Sequence, residues 1–467
     1  MTRQTTHEGL TSTICHYASN VRYEDLPPEV VAVAKRLVLD SLGTTLAGST
    51  LGDGCRELVA VVQAAGGNPE STVLGTGNKG SAAMAALANG AMVHALNYDA
   101  IGAEGGHPGA FGLTAPLAVA ERAGGVTGQE FIAALVAGVE IEMRAVLSLL
   151  RAGVDTKQRF LEGQVLSYLG ATLSAGRILE LTPDQMDSAL GLMLMQVSGT
   201  RQVVIYGDPP AKGIYAAFPN QGGVLSVLMA KEGLQGQCAA IEGDAGLFAM
   251  FYQGVYAKEL LQDDLGERFH TLDTAFKPWP TSGLVHPFIE AALQLQEEHD
   301  INPATIEKVH LTGHPQTRNW FEPVEERRRP SSAASAANSV AFGTAKALIN
   351  RSVTLTDFTP EGMVQPEVLQ LTARMEHSYD DSLDHRNGIV EVFTSDGSHY
   401  TRRIDTPLGQ PERPLSDAQL ADKFRDCAGH SLLPVSQEAI EEVIELVAHL
   451  EQVPDVSVLA DALGRGK

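Results

Sequence analysis

Apolar residues recur at helical spacing along most of this chain, and the two-residue alternation of strands is confined to its second half. Leu26-Pro27-Pro28-Glu29 opens the first long helix, with proline in the first turn and glutamate near the positive end. From there Val30, Ala34, Leu37, Val38, Leu42 and Leu46 keep the period. Further helices are expected at about 56–65, 81–96, 113–123, 129–150, 163–179 and 183–196, with Thr182 capping the last, and an apolar stretch covers 222–230. Alanine and glycine crowd several of these, which lets helices approach closely in layers. Met186, Met193 and Met195 fit gap-filling core positions.

The pattern changes near Thr274. Lys277-Pro278-Trp279-Pro280-Thr281-Ser282 is a stiff segment, and a helix is expected from His286 to Glu297. Strand-like runs follow at 306–312, 389–394 and 400–404, the last two joined by the turn Ser395-Asp396-Gly397-Ser398. The charged stretch Glu322 to Pro330 reads as a solvated loop, and residues 416–450 are helical again. At 467 residues the chain exceeds one ordinary core. The expected fold is mainly α: a large all-helical domain over 1–273, a smaller α+β lid domain over 274–407, and C-terminal helices over 408–467 that return to the helical domain.

Composition narrows the partners. Hydrophobic residues at 44% and charged ones at 19% fit a soluble globular protein. A formal charge of −23 argues against nucleic acid and anionic membranes as partners. It leaves an acidic small molecule open, because a few local lysines outweigh a distant, screened field. Cys15, Cys55, Cys238 and Cys427 are scattered, with no CxxC and no zinc spacing, the pattern of a reduced compartment. There is no apolar run of about 18 residues, and Met1 to Gly9 lacks the pattern of a signal peptide, so a cytoplasmic location is expected.

Candidate chemistry gathers between residues 89 and 122. Two apolar helical stretches flank a segment holding His94, Asn97, Tyr98, Asp99, Glu104 and His107, loosened by glycines at 102, 105, 106 and 109 and by Pro108. Such a loop lets rigid elements aim polar side chains, although the same groups would also serve a connector that caps helix ends. Lys212, just after the break Gly207-Asp208-Pro209-Pro210, is either a solvated helix end or an anion-binding group. Gly75-Thr76-Gly77-Asn78-Lys79-Gly80 matches GxGxxG between a strand-like run and a helix. No second strand follows that helix, so a turn is a better reading than a dinucleotide site.

Taken in order, the motifs resemble the MmgE/PrpD family, which includes 2-methylcitrate dehydratases, cis-aconitate decarboxylases and iminodisuccinate epimerases. The likeness runs through Asp40-Ser41-Leu42-Gly43, Ser71 to Gly75, Ala88-Asn89-Gly90, His94, His107-Pro108, Ala118 to Glu121, Lys212, Lys277 to Pro280 with His286, and Lys423-Phe424. The resemblance implies a homodimer with no metal or organic cofactor. It also implies an active site in the cleft between the domains, where Asp99, His107, Lys212 and Lys277 match catalytic positions. Asn97, Ile101, Tyr215, Ser282 and Phe342 match substrate-binding positions but depart from the decarboxylase pattern, which has aspartate, threonine, histidine, histidine and tyrosine there. A further histidine is replaced by the stretch Phe160-Leu161-Glu162. The implied activity is a cofactor-independent lyase, dehydratase- or decarboxylase-like, that removes a proton next to the carboxylate of a small substrate. An isomerase or epimerase using the same abstraction, and a non-catalytic carboxylate-binding member, are the alternatives.

Overall fold

The computed structural model describes residues 9–155, 159–204 and 209–464. Met1 to Glu8 and Gly207-Asp208 of the break before Lys212 lie outside the described residues. Helix accounts for 58% of the chain and strand for 10%.

The body is built around helices Pro28–Leu51, Ala82–His94, Gly128–Arg151, Glu162–Ile178, Pro183–Leu194 and Ala217–Lys231. Their starts follow local chemistry. Proline occupies the first turn at Pro28, while Thr127 with Glu130 and Thr182 with Gln185 form reciprocal capping boxes. Close packing needs small residues at crossings. A Cβ on Gly138 would lie 2.0 Å from Ser174 Oγ and 2.3 Å from the Gly170 carbonyl, so helices Gly128–Arg151 and Glu162–Ile178 meet almost backbone to backbone. The C-terminal helices Asp417–Gly429 and Gln437–Ala448 add Leu420, Phe424, Ile440 and Val443 to the same apolar core.

A second apolar core lies between Val285 and Ile404. Its four-stranded sheet has the order Met375–Tyr379, Ile306–Gly313, Gly388–Thr394, His399–Ile404; the first pair is parallel and the other two antiparallel. Gly388, Val390, Val392 and Thr394 alternate inward, as a half-buried strand requires. Helix His286–His299 packs on that strand and on helix Val340–Asn350. The edge strand Met375–Tyr379 escapes the sequence pattern because only Met375 is buried and no alternation appears.

The two chain crossings between the cores lie side by side. Thr274–Ala275 pairs with Ile101–Gly102 of the candidate loop, and the Phe276 N–H donates to the Gly409 carbonyl at 2.9 Å. Gly409 has φ +95°, and a Cβ there would be 2.1 Å from the Phe276 carbonyl, so this contact requires glycine. Upstream, Glu140 accepts the His270 and Thr271 N–H groups and pairs with buried Arg144, which fixes the approach to the first crossing.

The turn expected at the GxGxxG stretch is observed, and the loop expected at 322–330 changes. The GxGxxG stretch forms a hairpin, Ser71–Val73 with Asn78–Gly80, and Lys79 faces Glu121 at 3.7 Å. The next helix starts only at Ala82, so no helix end points at a phosphate site. The charged segment near 322–330 contains a short helix, Val324–Arg328, and Glu326 accepts from Ser331 on the cleft wall and from buried Ser335. Among the described residues, no helix is long and apolar enough to cross a membrane.

Candidate active site

Helix Ala82–His94 is buried along nearly its whole length and delivers His94 at its C-terminal end. The chain then reverses through Asn97, whose φ of +51° is the left-handed conformation that asparagine tolerates better than most residues. This turn carries Asp99 inward to 0% exposure. Three groups converge on its carboxylate: His94 Nδ1 at 3.0 Å, His107 Nδ1 at 3.5 Å and Lys277 Nζ at 3.9 Å. Burial alone would raise the Asp99 carboxyl, but the charges of His94 and Lys277 hold it well below the usual range. An ionised carboxylate at the centre of two imidazoles and an ammonium is the outcome.

His107 starts the short helix Pro108–Phe111, and its N–H donates to Glu142 Oε1 at 3.0 Å. Burial lowers its pKa, and this outweighs the raising effect of Asp99, so the ring is neutral at pH 7. With Nδ1 turned to Asp99, Nε2 is the atom left to exchange a proton. That edge faces Gly163, where an added Cβ would lie 2.7 Å from the His107 ring and 2.8 Å from the Tyr215 hydroxyl. Tyr215 is buried and stands against His94, ring centroids 4.4 Å apart.

Lys277 is 2% exposed and gives two N–H groups to the carbonyl and side-chain oxygens of Asn97, both at 2.8 Å. Burial pulls its pKa down to about 8, helped by Lys423 and Lys212 and opposed by Asp99 and Asp40. Lys212, half-buried on the short helix Pro210–Gly213, lines a cleft of about 520 Å³ between the two cores. His94 and Asn97 line it from the body; Pro280, Ser332, Asn338 and Phe358 line it from the lid side.

The remaining sequence-derived positions fall at different depths. Ile101 is half-buried, pairs with Ala275 and lies against Gly283. The Ser282 N–H donates to the Ala337 carbonyl, beside the cleft wall. Phe342 is a correction. It is fully buried in the second apolar core, against Phe358 with ring centroids 6.0 Å apart. It shapes the wall and does not face the cleft.

His94, Asp99 and His107 also present ligand atoms within 4.8 Å of one another. Their donor set suits a transition-metal ion, but the Lys277 ammonium already supplies the positive charge at this carboxylate, and a divalent ion would have to displace it.

Sequence reasoning missed Glu142. It is fully buried, its Oε2 has no hydrogen-bond partner, and burial pushes its pKa up to about 8. A carboxyl raised in the fold stabilises it below the unfolded value of 4.5, and that contribution is lost as pH rises toward about 8. Glu142→Gln keeps the acceptor for His107 and removes the titration. It should therefore gain stability over the natural protein by about 2–4 kcal/mol between pH 4.5 and 8. Urea unfolding at both pH values checks this; parallel slopes for the two proteins would refute it.

A helical core and a smaller α+β core flank the cleft, and a buried carboxylate contacted by two imidazoles and an ammonium stands beside it. The chain belongs to the MmgE/PrpD family: the N-terminal domain of that family matches residues 12–259 and its C-terminal domain matches 279–449. It is 28% identical to a cis-aconitate decarboxylase of Aspergillus terreus over 97% of this chain and 96% of the fungal protein. It is 25% identical to the cis-aconitate decarboxylase of Homo sapiens, over 98% of this chain and 95% of the human protein.

Proposed function

We propose that this protein is a cofactor-independent lyase that removes a proton next to the carboxylate of a small substrate. The observation that carries the reading is the convergence of His94, His107 and Lys277 on the ionised, fully buried Asp99. Neutral His107 takes the proton through Nε2, and Asp99 stabilises the imidazolium that forms. Negative charge spreading into the substrate carboxylate is met by Lys212 from the body and Lys277 from the first crossing. The decarboxylase names of its relatives support lyase chemistry on a small carboxylate; water or CO2 as the leaving group is open to test.

A second reading, an isomerase or epimerase, has one specific support. His94 and His107 share Asp99 and stand edge to face with ring centroids 5.0 Å apart, so a proton taken by this cluster can be returned from it to the same substrate. Proton–deuterium exchange over a panel of mono-, di- and tricarboxylic acids separates the readings. Net loss of water or CO2 supports the lyase, and exchange with inversion but no loss supports the isomerase. Binding without exchange or conversion across the panel would overturn both and leave a carboxylate-binding protein.

His107→Asn should lower turnover by about two orders of magnitude with little change in melting temperature. Turnover within a few-fold of the natural protein would remove His107 from the mechanism. The lid is expected to close on substrate about the crossings near Thr274 and Pro407. Hydrogen exchange at the Phe276 amide should slow when a turned-over acid saturates the protein; an unchanged rate counts against closure. The homodimer implied by the family is part of the same proposal, and light scattering tests it.

A further inference from the structure

Lys423 belongs to the C-terminal helix Asp417–Gly429, yet its side chain ends between the candidate loop and the first crossing. Its Nζ stands 2.6 Å from Asp40 Oδ1 on helix Pro28–Leu51 and 3.7 Å above the centre of the Tyr98 ring. It donates to the Tyr98 carbonyl at 2.8 Å and to the Lys277 carbonyl at 3.0 Å. The ammonium thus makes one ion pair and two hydrogen bonds, and the residue is buried. A lysine retained only for the core would need no more than Asp40. Its other two donors go to the peptide that carries Asp99 and to the backbone of Lys277 itself.

We propose that Lys423 is the positioning residue of this site, an ammonium anchored on Asp40 that grips the Tyr98 and Lys277 carbonyls and so sets Asp99 against Lys277. The assignment rests on the proposed function for the roles of Asp99 and Lys277. Lys423 touches no reacting atom in that scheme; it acts through the two backbone segments it joins. Because one segment belongs to the body and the other leads into the lid, the same contact pins the first crossing at the 3.9 Å Lys277–Asp99 spacing.

The charges around the Lys277 ammonium come from several elements: Asp99, His107 and Lys212 of the body, Asp40 and Lys423 beneath it, and His286 of the lid. Lys423 lowers the Lys277 pKa and Asp40 raises it, so removing both charges together leaves little net electrostatic change, whereas loosening of the crossing relieves the burial that is the largest cause of the low value and moves Lys277 upward. The test titrates Lys277 directly in the full-length protein. Selective 13C labelling of the lysine ε carbons gives eleven sites, and Lys277→Met identifies the signal of interest. The natural protein should show a midpoint near the value of about 8 that burial imposes. The double variant Asp40→Asn with Lys423→Met removes both buried charges together, and its midpoint should rise by about one pH unit or more. Where that variant does not fold, Asp40→Asn with Lys423→Gln serves, and the same upward shift is expected.

A purely structural pair would lower the melting temperature and leave the midpoint in place. An unchanged midpoint in either folded variant overturns the assignment. No substrate enters the titration, so its outcome is separate from the carboxylic acid panel. A shifted midpoint supports positioning even if no acid is turned over, and an unshifted one in an active protein refutes positioning alone.

Discussion

Asp99→Asn is expected to reduce kcat/KM by about three orders of magnitude or more, the scale seen when a carboxylate that orients a catalytic histidine is neutralised. Asparagine fills the same space but reverses the logic of the site. It offers one acceptor and one donor where His94, His107 and Lys277 now meet a full carboxylate. Asp99 raises the pKa of both His107 and Lys277, so its loss sends both downward. The Lys277 ammonium, at about 8 with the carboxylate present, then loses its proton nearer neutrality. Residual activity should therefore have its optimum at lower pH than in the natural protein. Stability should fall by about 3 kcal/mol, since a buried cation is left without its partner. The folded carboxyl is depressed, so its contribution is complete above the unfolded value of 3.8 and fades as pH falls through the folded value. The deficit should accordingly be full at pH 7 and shrink in acid. A variant with natural turnover, or an equal deficit at pH 7 and pH 2, would contradict this account.

The sequence makes the local half of this architecture readable. Pro28, Thr127 and Thr182 mark helix starts by satisfying backbone groups within three residues, so no distant partner is needed to see them. The candidate loop announces itself because glycines and polar groups interrupt two apolar helices. What the sequence hides is distance. Lys423 meets Tyr98 across 325 positions and Asp40 from the opposite end of the chain, and no spacing rule joins them. Glu142 interrupts an apolar-periodic helix and reads there as an exposed polar face, whereas helix Gly128–Arg151 is buried on nearly every side. Gly163 is legible only after folding, when the His107 ring and the Tyr215 hydroxyl occupy the place of its missing side chain. Phe342 shows the reverse error: family position places the residue near the site, whereas the fold buries its ring in the second core against Phe358.

Lys212→Met and Lys277→Met should each cost about 2–4 kcal/mol of transition-state stabilisation, roughly 30- to 1,000-fold in kcat/KM. A protein with 23 surplus negative charges repels an anion unless its cleft is locally positive, and these two lysines come from different parts of the fold. Their settings differ, so their kinetics should differ. Lys212 lines the cleft and meets the incoming carboxylate, so its loss should raise KM as well as lower kcat. Lys277 lies deeper, with two donors on Asn97, and only its remaining N–H is directed toward charge in the site. Its loss should fall mainly on kcat and should also relax the left-handed turn at Asn97. If one carboxylate bridges both ammonium groups, the double variant will lose less than the sum of the single losses, because the first removal already disrupts the shared contact. Strict additivity would place the lysines on separate groups of the substrate. Natural kcat/KM in both single variants, on whichever acid the panel identifies, would remove the clamp altogether.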